Sequence, residues 1–105
     1  LVGKRGTSPR MLIMSPTREL AMQSDVVCRE LGETRSGAAA DLPPVRSLCV
    51  YGGVPKEMQR RAVRDGVEII VATPGRLLDL IEEGAMTLDT IDYLVLENYL
   101  LNIKL

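Results

Sequence analysis

Three short turns in the sequence carry the residue types that hold phosphate groups. Each follows a short apolar run, at positions 15–20, 51–53 and 73–76. Threonine hydroxyls and arginine guanidinium groups donate to phosphate oxygens, and glycine lets a sugar-phosphate chain approach the backbone closely. Three such turns in succession fit a polymer of phosphates better than one small anion. The candidate residues for these contacts are Pro16, Thr17, Arg18, Gly52, Gly53, Thr73, Pro74, Gly75 and Arg76.

The same turns have an ordinary structural interpretation. Thr-Pro-Gly and Gly-Gly are common turn sequences, and either one alone is more often architecture than a ligand site. We assign no aromatic ring in these turns to base stacking, so we expect contact with a nucleic-acid backbone, independent of base sequence. A basic stripe spaced four residues apart is interpreted as a solvated helix face, with nucleic-acid contact as the weaker alternative. Its members are Lys56, Arg60 and Arg64.

Four short apolar runs and three helical patterns position these turns. The runs lack the strict alternation of half-exposed strands, which predicts strands covered on both faces. They are 11–14, 47–51, 68–72 and 93–96, and the helical patterns are 18–31, 55–65 and 74–83. This alternation predicts an α/β fold, with a parallel sheet and helices on both faces. Because ligands bind beyond the carboxyl ends of parallel strands, we expect all three turns at one edge of the sheet.

The limits of the helices follow from apolar spacing and from helix-ending residues. In the first helix the apolar side chains form one stripe, and Gly32 is expected to end it. The stripe consists of Leu20, Val27, Cys28 and Leu31. The segment 32–44 is small, polar and proline-containing, which predicts a surface loop.

The composition excludes several classes of function. The 105 residues carry a net charge of −1, so a polyanionic partner would need a local basic patch. The sequence contains no histidine, which excludes Cys/His zinc sites and imidazole catalysis. We expect Cys28 and Cys49 to be buried, reduced thiols. No run reaches the roughly 18 apolar residues of a membrane span, so no membrane partner is expected.

Taken in order, the motifs resemble those of the DEAD-box RNA helicases. The segments 16–21, 52–53 and 72–79 read PTRELA, GG and ATPGRLLD. They look like the family's successive RNA-contacting motifs, in its order and at its usual spacing. The run at 93–96 resembles the strand that leads into the family's Asp-Glu-Ala-Asp motif, so the resemblance covers about residues 10–96.

The resemblance implies an incomplete first RecA-like domain, of the P-loop NTPase type, over residues 1–105. It implies a parent protein that couples ATP hydrolysis, with Mg²⁺, to RNA unwinding or remodelling. The nine candidate residues would then form half of a groove for the RNA backbone. The run at 50–96 looks closest to family members that assist ribosome assembly. That similarity implies an intracellular location in the nucleus or cytoplasm, with the nucleolus preferred.

One departure from the family concerns the phosphate-binding loop. That loop requires Gly-x-x-x-x-Gly-Lys-Ser/Thr after a strand, because its N–H groups cradle the phosphates. Here Gly3-Lys4 is followed by Arg5, and no glycine precedes the pair at the required spacing. The adenine-recognising segment and the second RecA-like domain, which supplies an arginine finger, are also not found in the sequence.

A second departure concerns the Asp-Glu-Ala-Asp position. It begins with Glu97 and Asn98, which places a longer acid at the metal-facing position and an amide where the family positions water. An amide cannot act as a general base, so we expect no intact catalytic residue and no intact metal site. The tail at 97–105 diverges from the family. We therefore expect this chain to bind ATP and Mg²⁺ poorly and to be inactive alone.

Two other interpretations remain open from the sequence. In the first, the chain is a catalytically inactive product, either a truncated RNA-binding module or a non-functional gene product. In the second, it is an unrelated doubly wound domain that binds a cofactor. The last is disfavoured because Gly52-Gly53 does not supply the glycine-rich loop that such domains use. The missing loop-bearing strand is expected to leave apolar strand edges and helix faces exposed. That exposure predicts marginal stability or aggregation of the isolated chain.

Overall fold

Strands and helices alternate along the chain in the computed structural model, which describes residues 8–33 and 45–97. The elements are β1 (Met11–Met14), α1 (Arg18–Glu33), β2 (Ser47–Val50), α2 (Lys56–Asp65), β3 (Ile69–Ala72), α3 (Pro74–Glu82) and β4 (Tyr93–Leu96). The four strands form one sheet in the order β2-β3-β1-β4, and every neighbouring pair is parallel. The α/β fold predicted from the sequence is confirmed.

Helices cover the two faces of the sheet separately. On one face α1 packs Ala21 and Cys28 against Val71 of β3. On the opposite face a larger core joins β3 to α3 and includes Ile70 and Leu80. Consecutive residues of a strand point to opposite faces, so Ile70 and Val71 belong to different layers. The two-sided cover predicted for the apolar runs therefore holds for β3.

The strand register places the ends of the strands at one edge. Met14 lies beside Ala72 on one side and beside Leu96 on the other, and Ala72 lies beside Val50. The backbone N–H of Ser15 donates to the carbonyl of Ala72 at 2.8 Å, which continues the ladder past the last strand residue. The three turns after β1, β2 and β3 therefore leave the sheet side by side.

The limits of α2 and α3 agree with the predicted ones to within one residue, but α1 does not end at Gly32 as predicted. It continues to Glu33, so the predicted loop at 32–44 starts too early, and residues 34–44 lie outside the described ranges. A Cβ atom at Gly32 would lie 2.5 Å from the carbonyl oxygen of Val45. Glycine is needed there because the backbone of the next strand segment passes close to the helix, not because the helix stops.

The prediction of cover on both faces is wrong for β4, whose four side chains are all exposed. Within the described residues β4 pairs only with β1 and forms one edge of the sheet. An apolar groove of about 690 Å³ lies between α1, β1 and β4. Its walls include Val27 and Leu31 of the predicted α1 stripe and Val95 of β4. Each described helix is too short or too polar to cross a lipid bilayer.

Candidate nucleic-acid interface

The first turn connects β1 to α1 and exposes two of its candidate residues. Thr17 and Arg18 are exposed and Pro16 is half-buried. The Thr17 hydroxyl accepts a hydrogen bond from the N–H of Leu20 at 3.2 Å, which satisfies one of the free donors at the start of α1. Thr17 therefore caps the helix, and it holds Arg18 in the first helical turn at the edge of the sheet.

The second turn meets Arg18, although β3 lies between β1 and β2. The Arg18 guanidinium carbon lies 5.8 Å from the centre of the Tyr51 ring, within the range of a cation–π contact. Gly53 has φ +88, and a Cβ atom there would lie 3.1 Å from Arg18 Nη1. Glycine is favoured at this position by the left-handed backbone and by the nearby guanidinium. Tyr51 therefore supports an arginine.

The third turn connects β3 to α3, and Pro74 and Gly75 are exposed in it. The N–H of Thr73 donates to the carbonyl of Val50 at 2.9 Å, which fixes this turn beside the end of β2. Thr73 precedes α3 in extended conformation, and its side chain makes no capping hydrogen bond. The first N–H groups of α3 are therefore not occupied by the side chain that commonly satisfies them.

We call residues 15–18, 51–53 and 73–76 together the carboxyl rim.

The guanidinium of Arg76, which the sequence predicted as a donor to phosphate, is bonded within the protein. Its Nη1 donates to the carbonyl of Val54 at 2.7 Å and to Oε1 of Gln59 at 3.0 Å. Its Nε lies 3.9 Å from the carboxylate of Asp79, and the side chain is only 13% exposed. The expected bidentate donor for a phosphate is therefore directed into the protein, toward the second turn.

Gln59 is a residue of this region that the sequence did not indicate. It lies on α2, is only 3% exposed, and its Nε2 donates to the carbonyl of Tyr51 at 3.1 Å. The apolar spacing predicted that Met58 and Ala62 share the inward face of α2, but Met58 is 62% exposed. Because α2 is polar along most of its length, apolar spacing could not identify the side that packs inward.

Two of the three members of the basic stripe of α2, Lys56 and Arg60, are paired with acids. Lys56 and Arg60 both bind the carboxylate of Glu83, and Arg60 also binds Glu57 at 3.0 Å. The hydrogen bond from Lys56, and then that from Arg60, lowers the pKa of Glu83, while Glu83 and Glu57 raise the pKa of Arg60. These contacts join α2 to the end of α3, so Lys56 and Arg60 are neutralised locally rather than offered as a cationic surface.

Glu97 lies at the end of β4, where the resemblance places a metal-facing acid. Its carboxylate accepts hydrogen bonds from the hydroxyls of Ser15 and Ser24, the latter at 2.6 Å. Both carboxylate oxygens are thus engaged with neutral donors from β1's turn and from α1. In this arrangement Glu97 fastens β4 to its neighbours. Asn98 lies outside the described residues.

A parallel sheet with polar turns along its carboxyl edge, and helices on both faces, defines part of a RecA-like α/β domain. A match to the family model described as "DEAD/DEAH box helicase" covers residues 1–98. The chain belongs to the DEAD/DEAH box helicase family.

Curated relatives and a solved structure agree with this assignment. The chain is 45% identical over 94 residues to the ATP-dependent RNA helicase DBP2 of Lodderomyces elongisporus, covering 90% of the chain and 16% of that protein. It is also 45% identical over 94 residues to the DEAD-box ATP-dependent RNA helicase 30 of Oryza sativa subsp. japonica, covering 90% of the chain and 13% of that protein. The crystal structure of the yeast DEAD-box splicing factor Prp28 matches with a TM-score of 0.75 and 30% identity. That match covers 86% of this chain and 19% of the Prp28 chain. The chain thus spans less than a fifth of each of these proteins.

Proposed function

We propose that this chain is a fragment of an ATP-dependent RNA helicase and that its carboxyl rim binds the RNA backbone. The proposed contact residues are Pro16, Thr17, Arg18, Gly52, Gly53, Thr73, Pro74 and Gly75, and Arg76 belongs to the rim with its guanidinium bonded inside the protein. The observation that carries the proposal is that Arg18 extends from the first turn to Tyr51 and Gly53 of the second. The third turn is bonded to the end of the same strand. The candidate residues therefore form one continuous edge.

The chemistry of the rim favours contact with phosphates rather than with bases. Arg18 is exposed and carries a fixed positive charge, which is suited to a phosphate oxygen. Gly52, Gly53 and Gly75 are exposed and have no side chains that would keep a sugar-phosphate chain away. The Tyr51 ring faces Arg18, so it supports the charge and is not assigned to base stacking. Such contacts bind without reading sequence.

The parent protein is proposed to use ATP and Mg²⁺, as the family does, to unwind or remodel RNA. For the chain itself we propose RNA binding without ATP hydrolysis, because the sequence contains no phosphate-binding loop and Glu97 is held by two serines. A location in the nucleus or cytoplasm is proposed from the similarity to RNA helicases. Ribosome assembly and the nucleolus are proposed only from the sub-family similarity of residues 50–96.

Fluorescence anisotropy of a labelled single-stranded RNA, titrated with the 105-residue chain over a range of salt concentrations, tests the RNA-binding proposal. We expect weak binding of any base sequence, with an affinity that falls as the salt concentration rises. The substitution Arg18→Gln should weaken binding to all sequences alike. It should also reduce the slope of log K against log salt by about 0.7, the value of one phosphate contact on a single strand. Arg60→Gln is the matched control, and it should leave that slope unchanged because Arg60 is paired with Glu57 and Glu83.

Two results would contradict this proposal. One is that the chain shows no salt-dependent affinity for RNA. The other is that Arg18→Gln and Arg60→Gln have equal effects on affinity and slope. RNA-stimulated phosphate release is measured on the same preparation. Hydrolysis by the chain alone would overturn the part of the proposal that separates binding from catalysis.

A further inference from the structure

The buried side-chain amide of Gln59 connects the second turn of the carboxyl rim to the third. Gln59 Nε2 donates to the carbonyl of Tyr51, and Gln59 Oε1 accepts from Arg76 Nη1. The same Arg76 nitrogen donates to the carbonyl of Val54. Tyr51 and Val54 are the residues that precede and follow Gly52-Gly53. The carbonyls on both sides of the glycine pair are therefore held by one connected set of hydrogen bonds.

We infer that Gln59 is a positioning residue for RNA binding and that Arg76 acts with it, through the protein, rather than by touching a phosphate. This inference rests on the proposed function of the carboxyl rim. It differs from the expectation that Arg76 is a charged ligand for RNA.

The physical need for such a device comes from the glycine pair. Gly52 and Gly53 have no side chains to restrict them, so holding them in one conformation costs more backbone entropy than for other residues. Hydrogen bonds to the carbonyls on both sides restrict that freedom before any ligand arrives. A turn that is already ordered pays less of the ordering cost when RNA binds.

The same set of bonds also determines where Arg18 lies. Its guanidinium stands over the Tyr51 ring, and Tyr51 is the residue whose carbonyl Gln59 holds. Its Nη1 is close to Gly53, so a shift of the turn would change the space that the guanidinium occupies. Gln59 is almost fully buried and cannot reach a ligand itself. Its effect on RNA must therefore pass through the turn and Arg18.

The first test needs no RNA. Amide resonances of Gly52 and Gly53 are compared between the wild-type chain, Gln59→Met and Gln23→Met. Methionine keeps the length of the side chain and removes its hydrogen-bonding groups. Because Gln23 is exposed on α1, Gln23→Met is the matched control. We expect the two glycine resonances to shift or broaden in Gln59→Met and to stay in place in Gln23→Met. Unchanged glycine resonances in folded Gln59→Met would overturn the inference.

The second test uses RNA affinity and its salt dependence. Gln59→Met is expected to weaken binding about tenfold, the scale of one lost hydrogen bond to a charged group. The log–log salt slope should stay at the wild-type value, since no phosphate contact is removed. Arg76→Gln should behave in the same way, whereas Arg18→Gln should lower the slope. A lowered slope for Arg76→Gln would assign Arg76 to a phosphate and overturn its positioning role.

The double variant Gln59→Met/Arg76→Gln shows whether Gln59 and Arg76 act through the same hydrogen bonds or independently. If both residues act through the same bonds, the double variant binds no more weakly than the weaker single variant. If the fold-loss of RNA affinity in the double variant equals the product of the two single fold-losses, the inference is contradicted. Should Gln59→Met fail to fold, Gln59→Glu replaces it. Glutamate keeps the acceptor for Arg76 but loses the donor to Tyr51, so the Gly52 resonance should still move.

Failure of the inference is distinguishable from failure of the proposed function. If the wild-type chain does not bind RNA, the proposed function fails and the resonance comparison alone decides whether Gln59 orders the glycine turn. If Arg18→Gln weakens binding while Gln59→Met binds like the wild type, the rim assignment stands and the role of Gln59 is overturned.

Discussion

Arg18 and Arg76 show how one residue type takes two roles at the same edge of a sheet. Both follow a strand end and both lie in the first turn of a helix. Arg18 is exposed over an aromatic ring, whereas Arg76 is 13% exposed and bonded to a carbonyl and an amide. The sequence predicted both arginines as donors to phosphate, because residue type and position after a strand can be read from it. It could not separate them, because the difference depends on Gln59, which belongs to another helix.

The two cysteines permit a prediction of reactivity. Burial, and then the Asp25 carboxylate, raises the pKa of Cys49 to about 12, and the same causes raise the pKa of Cys28. The thiolate is the nucleophile, so near pH 8 we expect Cys49 to react with iodoacetamide about a thousandfold more slowly in the folded chain than in urea. Peptide mass spectrometry measures the two rates, and Cys28→Ala isolates Cys49.

The sign of the corresponding pH effect follows from the direction of the pKa shift. The folded pKa lies above the ordinary value of 9.0, so the folded chain keeps a proton that the unfolded chain loses. The free energy of unfolding is therefore independent of this thiol below about pH 9 and falls between about pH 9 and pH 12. Cys28 is buried as predicted, whereas Cys49 is only partly buried. Equal alkylation rates in buffer and in urea would contradict the raised pKa of Cys49.

At the scale of elements, the sequence predicted the strands better than the helix faces. The predicted strands overlap the observed ones almost residue for residue, since each is a short apolar run between polar turns. The prediction of which face of α2 packs inward was wrong, because Gln59 is buried and Met58 is exposed. The end of α1 was also wrong. A glycine commonly marks the end of a helix because its backbone is free to leave the helical conformation. At Gly32, however, glycine is required because a side chain would clash with the carbonyl of Val45.

The attachment of β4 provides a prediction at the same scale. Ser24 of α1 donates to Glu97 at the end of β4, and the Glu97 N–H donates to the Met14 carbonyl at 2.9 Å. A hydrogen bond to a charged group contributes about 1.5–3 kcal/mol. Ser24→Ala should therefore accelerate hydrogen exchange of the Glu97 amide about tenfold or more. Exchange at Ile70, in the core strand, should stay at the wild-type rate.

Ser8→Ala is the control for this experiment, because Ser8 is exposed. It should leave exchange in β4 unchanged. If Ser24→Ala also leaves the Glu97 amide protected, β4 is held by its ladder to β1 alone, and the serine–glutamate contacts contribute nothing to its attachment.

At the scale of the whole molecule, the uncovered side of the sheet decides behaviour in solution. Val27 is 53% and Leu31 71% exposed, and both border the groove beside Val95. Exposed apolar helix faces were predicted from the absence of the family's loop-bearing strand in this sequence. The cause is visible in the fold: α1 covers β2 and β3 but leaves the β4 side of its own apolar stripe open. Apolar surface of this kind favours association.

We expect the 105-residue chain to self-associate and to melt without a sharp two-state transition. The double substitution Val27→Lys/Leu31→Lys should raise the monomer fraction measured by analytical ultracentrifugation. Leu78→Lys is the matched control, since Leu78 is 55% exposed on α3, away from the groove. It should leave the monomer fraction unchanged. A monomeric wild-type chain with a sharp two-state melt would contradict this prediction.

The parallel pairing of β1 and β4 also has a mechanical consequence. The two strands run side by side in register, with Met11 opposite Tyr93 and Met14 opposite Leu96. Tension applied to the amino end of β1 and the carboxyl end of β4 would slide one strand along the other. All the bonds of the ladder would then carry the load together, whereas an antiparallel hairpin pulled from its open end breaks its bonds one after another. This junction is therefore built to resist shear along the strands.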